Sequence, residues 1–166
     1  MRRAVSILSI YLLVLATTPG FATSGAHFFH DTTDSVSQSG ATKGALVITI
    51  DEAGVGQQDI SYSVTVNTAT ATYACINGGG NHPQASNKET VSKQLSLPLG
   101  TFSPINGRVQ VSVTLAGTPL PKGDFSCPSG QSLVLAGVSY SGITLTDTTN
   151  NVSTGLADTG ATFFNI

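Results

Sequence analysis

Residues 108–115 read Arg-Val-Gln-Val-Ser-Val-Thr-Leu. Val109, Val111, Val113 and Leu115 fall on one phase of a period of two, and Arg108, Gln110, Ser112 and Thr114 on the other. Side chains alternate in this way across the two faces of a β-strand, so the run predicts a half-buried strand and excludes an amphipathic helix. Ile60 to Val66 repeats the pattern, with Ile60, Tyr62, Val64 and Val66 inward. Ala71, Tyr73 and Cys75 continue it on odd numbers, which requires a bulge or a turn near Asn67-Thr68.

Further strands are expected at Ala45–Asp51, Ser132–Tyr140, Ile143–Asp147 and Ala161–Asn165, with a weaker one over Val91–Leu99 limited by Pro98. Turn signals separate them. Asn106-Gly107 is the strongest, and predicts a hairpin joining Thr101–Ile105 to Arg108–Leu115. Charged residues are only 10% of the chain, so surface polarity comes from Ser and Thr hydroxyls, as on exposed sheet faces. Tyr73-Ala74-Cys75 has the spacing of an immunoglobulin tyrosine corner. The chain has no Trp, however, and the tyrosine precedes the first cysteine rather than the second. The expected fold is all-β: an antiparallel β-sandwich, immunoglobulin-like in architecture, of about seven to nine strands.

The sandwich is expected to follow a cleaved secretory signal helix. Arg2 and Arg3 precede an apolar run from Ala4 to Ala16, and Pro19-Gly20 and small residues follow. This order reads as a signal peptide over 1–22, with 26 as the alternative end, and the run is too short to span a bilayer. The single domain then covers 27–166, and no membrane span is expected after cleavage. Losing Arg2 and Arg3 leaves five basic residues against nine acidic ones, a balance that argues against nucleic acid as a partner. In an exported chain, the even pair Cys75 and Cys127 predicts a disulfide.

No nucleophile motif stands out. Gly137-Val138-Ser139-Tyr140-Ser141 lacks the second glycine of a nucleophile elbow and lies in an expected strand. Gly78, Gly79 and Gly80 lack the lysine and the helix of a phosphate loop. Asp51, Glu52 and Asp59 are expected on a solvated face beside a loop, a weak calcium site being the alternative. Tyr62, Tyr73 and Tyr140 are expected to pack in the core rather than present rings to a sugar.

Two places remain as candidate sites. One is the loop after Cys75, where Asn77, Gly78, Gly79, Gly80, Asn81, His82, Asn87 and Lys88 form a glycine- and amide-rich binding candidate. The other is metal. Cleavage after Ala26 would make His27 the mature N-terminus, whose amine and ring can hold copper with His82 or His30 as a further ligand. The single sequon is Asn151-Val152-Ser153.

The stretches YACINGGGNHPQASNKETVS and FSCPSGQSLVLAGVSYSGITLTDTTN, with an early AHFF and DEAGVG, resemble a group of small secreted bacterial proteins of uncharacterised function. The resemblance runs from about Ala26 to Asn150. It implies one exported domain with paired cysteines and a mature N-terminus close to His27, and it brings no activity, substrate or cofactor. The expected function is therefore a secreted, non-catalytic β-sandwich, a binding, surface or matrix component whose partner is a protein or a glycan. A copper-binding redox protein using His27 is the alternative. A third reading is an inhibitor- or toxin-like interaction protein with loops 76–89 and 117–130 as its contact surface.

Overall fold

The computed structural model describes residues 25–77 and 87–166. Nine strands form two antiparallel sheets packed face to face. The first sheet holds β1 (His27–Phe28), β2 (Thr33–Val36), β3 (Leu46–Ala53) and β6 (Arg108–Thr114). β1 and β2 lie end to end along one edge of β3, and β6 lies along the other. The second sheet runs β5 (Lys88–Phe102), β4 (Ile60–Asn77) and β7 (Gln131–Asp147). β8 (Val152–Gly155) and β9 (Thr159–Thr162) lie end to end on the far side of β7. β2 adjoins β9 and β1 adjoins β8, which closes one side of the sandwich. On the other side, among the described residues, β5 and β6 are the two edge strands. Among the described residues the remaining regular element is a 3-10 turn at Gly40–Thr42, and no helix is long and apolar enough to cross a membrane.

The core follows the alternation. Leu46, Ile48 and Ile50 of β3, Val109 of β6, Ile60, Val64 and Val66 of β4, and Ile143 and Leu145 of β7 are all buried between the sheets. The phase of β4 flips where expected. Its ladder with β5 shifts by one residue between Val66 and Ala69, a bulge on β4. Inward residues are even-numbered before it and odd-numbered after it, at Ala69 and Ala71.

β7 flips at the same level, and this overturns one sequence expectation. Ser132–Tyr140 and Ile143–Asp147 are one strand of 17 residues, not two. The change of phase between inward Tyr140 and inward Ile143 is absorbed at Gly142, whose φ is +61°. The β4–β7 register places Asn67 opposite Gly142, and a Cβ there would lie 2.5–2.9 Å from Asn67 side-chain atoms. Since both strands flip together, their mutual register passes the point without a shift.

Three other expectations change. β5 runs through Pro98 to Phe102, because Pro98 sits on an edge strand and beside a bulge at Leu99, the settings a ladder tolerates. The last strand is Thr159–Thr162 rather than 161–165, since Phe163 and Phe164 both turn their N–H groups to the Ala136 carbonyl. Asn106-Gly107 is a turn but not a hairpin between paired strands. Both residues have positive φ, and Ile105 bridges Arg108 across them. Beyond that bridge the chain parts: Phe102 pairs with Ile60 in one sheet, and Arg108 with Ala53 in the other. The turn is a corner between sheets.

The disulfide forms between Cys75 and Cys127, with Cα atoms 5.5 Å apart. It ties the crossover from β6 to β7 onto the far half of β4. Tyr73 holds the same crossover by donating its hydroxyl to the Leu120 carbonyl at 2.6 Å, so it is not an immunoglobulin corner to nearby backbone. Tyr140 donates to the Gly44 carbonyl at 2.7 Å, and its burial pushes the phenol up to about 12. All three tyrosines of the described chain are thus pinned in the interior or beneath the crossover.

Candidate functional site

Three inward positions at one end of the sandwich are polar: Glu52 on β3, Tyr62 on β4 and Asp147 on β7. Glu52 and Asp147 are fully buried. Each lies two residues beyond an inward aliphatic, Ile50 or Leu145, so strand geometry carries a carboxyl into the core from each sheet. The Tyr62 hydroxyl donates to Glu52 Oε2 at 2.7 Å. Glu52 Oε1 has no hydrogen-bond partner among the described residues. Asp147 Oδ1 accepts the N–H groups of Thr149 and Asn150, and Oδ2 accepts the Asn150 amide at 2.6 Å, which fixes the β7–β8 turn. Phe28 and Phe102 flank the Tyr62 ring at 6.4 and 6.0 Å.

Burial pushes the Glu52 carboxyl up to about 7. The Tyr62 hydrogen bond pulls it down, while the nearby Asp147 carboxyl adds to the rise. Water is excluded and a second carboxyl lies nearby, so the site favours the protonated form of Glu52. Burial also pushes the Tyr62 phenol up, and the Glu52 carboxylate adds to it. The Tyr62–Glu52 bond links the two sheets, and both acids are kept away from solvent.

The neighbouring acid behaves oppositely. Asp51 points outward, yet it is only 4% exposed because Arg108 covers it. The guanidinium binds it with Nε to Oδ1 at 2.7 Å and Nη2 to Oδ2 at 2.6 Å, and Gln110 adds a bond at 3.2 Å. The Arg108 hydrogen bond holds the Asp51 carboxyl below its usual range. Arg108 also stacks over Phe29, 4.8 Å from the ring centroid. The expectation that Asp51 and Glu52 form a solvated face is therefore corrected. Asp59 alone of the three is exposed, and it accepts from Ser103 at 2.6 Å. The signal for Glu52, Tyr62 and Asp147 was present in the sequence: the inward phase of ALVITIDE, ISY and ITLTD runs directly onto them.

On the open side, a groove of about 600 Å³ lies between the 103–107 corner and β6. Phe102, Val109 and Val111 give it apolar walls, and Asn106, Arg108 and Gln110 give it hydrogen-bonding groups. Ile105 stands at its rim, 78% exposed. Sequence reading missed this surface because Ile105 belongs to a turn whose neighbours part into different sheets.

Of the expected binding loop, Gly78, Gly79, Gly80, Asn81 and His82 lie outside the described residues. Its base is described. Gln131 of β7 donates to Asn77 at 3.0 Å and accepts from Asn87 at 3.4 Å, and Cys75 N–H donates to the Asn87 carbonyl. Lys88 is exposed beside a shallow groove with Phe164 and Ile166. Of the expected metal ligands, His27 and His30 are exposed. His27 Nδ1 lies 2.5 Å from the Gly25 carbonyl, and His30 pairs with Asp31 at 2.8 Å. Among the described residues no three His, Cys, Asp or Glu side chains are grouped to hold a metal ion. The signal peptide also lies outside the described residues. Compared with family models, with curated proteins and with solved structures, the chain has no match.

Proposed function

We propose that the chain is a secreted, non-catalytic β-sandwich that works by contact, as a binding module or as a component of a cell surface or matrix, with a protein or a glycan as its partner. The observation that carries this reading is the groove on the open side, with apolar walls, a few hydrogen-bonding side chains and exposed Ile105 at its rim. Such a mixture is what a contact surface needs. The acids point the same way, since Glu52 is committed to Tyr62 inside the core, Asp147 to the Thr149-Asn150 turn and Asp51 to Arg108. The signal-like N-terminus, the disulfide and the resemblance to small secreted bacterial proteins support the extracellular setting.

The test is binding of the purified mature protein to glycan and peptide arrays, in wild type and in Ile105→Asp. A ligand held by wild type and lost in Ile105→Asp supports the reading. Turnover of a polysaccharide, ester or peptide substrate that disappears in Glu52→Gln overturns it.

The copper reading has one observation of its own. Cleavage after Ala26 would remove Gly25, whose carbonyl occupies His27 Nδ1, and leave the amine and ring of an exposed His27 free together. N-terminal sequencing of protein from the medium, followed by copper titration, decides it. A mature chain starting at His27 that binds one copper supports the reading, and a start at Thr23 removes it.

A further inference from the structure

The two edge strands on the open side differ in kind. An unpaired edge invites another strand, and proteins that avoid this place charges, proline and bulges there. β5 has all three: Lys88, Glu89 and Lys93, Pro98, and two irregularities in its ladder with β4. β6 has no proline and no bulge within its paired run. Its one charge, Arg108, stands at its first position and is neutralised by Asp51.

The backbone of β6 has a definite set of free groups. Residues of an antiparallel strand alternately bond to a neighbour and turn away from it. Leu115 N–H donates to the Leu46 carbonyl at 2.8 Å, so Val113, Val111 and Val109 share that phase and turn toward β3. Arg108 has the opposite phase, and both its backbone groups are taken by Ile105, at 2.8 and 3.1 Å. The N–H and C=O groups of Gln110, Ser112 and Thr114 therefore point out from the free edge, a row of three donors and three acceptors.

We propose that this edge pairs with the same edge of a second copy of the chain, antiparallel, about a two-fold axis through Ser112. The proposal rests on the contact reading above and names the partner at that side of the sandwich. The register follows from the free groups. With Ser112 facing Ser112, Gln110 of each copy faces Thr114 of the other, and every free donor and acceptor on both strands is matched. A shift to Val111 on Val111 would leave Thr114 opposite Arg108, whose backbone is already used. In the Ser112 register no two charges oppose one another, so two acidic chains can meet at a neutral seam. On the inner face it sets half-buried Val111 beside half-buried Val113 of the other copy and removes apolar surface from water. The interface is isologous, so it closes as a dimer.

The test is the mass of the intact mature protein by sedimentation over a concentration series, with three sets of variants. Wild type is expected to go from monomer to dimer. Ser112→Lys sets like charges on the axis and is expected to stay monomeric, with unchanged dichroism and melting. Ser112→Cys should crosslink under mild oxidation, because Cα atoms of a bonded antiparallel pair lie about 5.5 Å apart, within disulfide range. Gln110→Cys and Thr114→Cys should crosslink only when one copy of each is mixed. A wild type monomeric throughout, or a Ser112→Lys dimer, overturns the proposal. Array binding by a monomeric wild type would show that self-pairing alone had failed, since the contact reading would still hold.

Discussion

Replacing Glu52 by Gln tests the reading of the buried acids directly. The folded carboxyl titrates near 7 and an unperturbed one at 4.5. Between those values the folded chain binds more protons than the unfolded chain, so stability must fall as pH rises. A gap of that size is worth about 3 kcal/mol once pH is well above 7. For a domain of this size the loss corresponds to a melting temperature lower by about 10 °C. Gln has the shape of the protonated acid, and its carbonyl can accept from Tyr62. The assay is urea unfolding followed by far-ultraviolet dichroism from pH 4.5 to 8.5. Wild type should lose stability steadily over the range. Glu52→Gln should match wild type within about 1 kcal/mol at the acid end and exceed it by up to about 3 kcal/mol at the alkaline end. Asp34, also raised by burial, leaves a shallow slope of the same sign in the variant. Parallel profiles for the two proteins would refute the raised Glu52 carboxyl.

Asp51 should act on the opposite limb: its carboxyl is depressed, so its contribution is present above 3.8 and lost as pH falls further, and in a urea series extended down to about pH 2, Asp51→Asn should flatten the loss of stability below 3.8 while leaving the alkaline limb intact. Gly142→Ala is expected to cost about 1–3 kcal/mol, from a side chain forced to positive φ against Asn67, and a change below about 0.5 kcal/mol in urea unfolding would argue against the coupled kink. Replacing both Cys75 and Cys127 by Ala opens a link across 52 residues and should lower stability by about 4 kcal/mol. Limited proteolysis of that variant should cut first in the released crossover around Pro121–Asp124, and a cut elsewhere would count against the tethering role.

The sequence alone determined what is local. Strict alternation specifies strands whatever lies beside them, because successive side chains must point to opposite faces, and β3, β4 and β6 follow from it, whereas β1, β2 and β8 are too short to carry that signal. The loss of phase between Val66 and Ala71 required the bulge that β4 carries, and the even cysteine count predicted the pair that closes. Tertiary structure decided what depends on the neighbour. Asn106-Gly107 has the same turn chemistry in a hairpin and at a corner, and only the pairing of Phe102 with Ile60 and of Arg108 with Ala53 separates the two. Gly142 read as a strand break until Asn67 of a kinked β4 stood opposite it. Glu52 and Asp147 lie on the inward phase, but an acid at the end of a strand reads as solvated. The second sheet covers them, removes the water and favours the protonated form of Glu52.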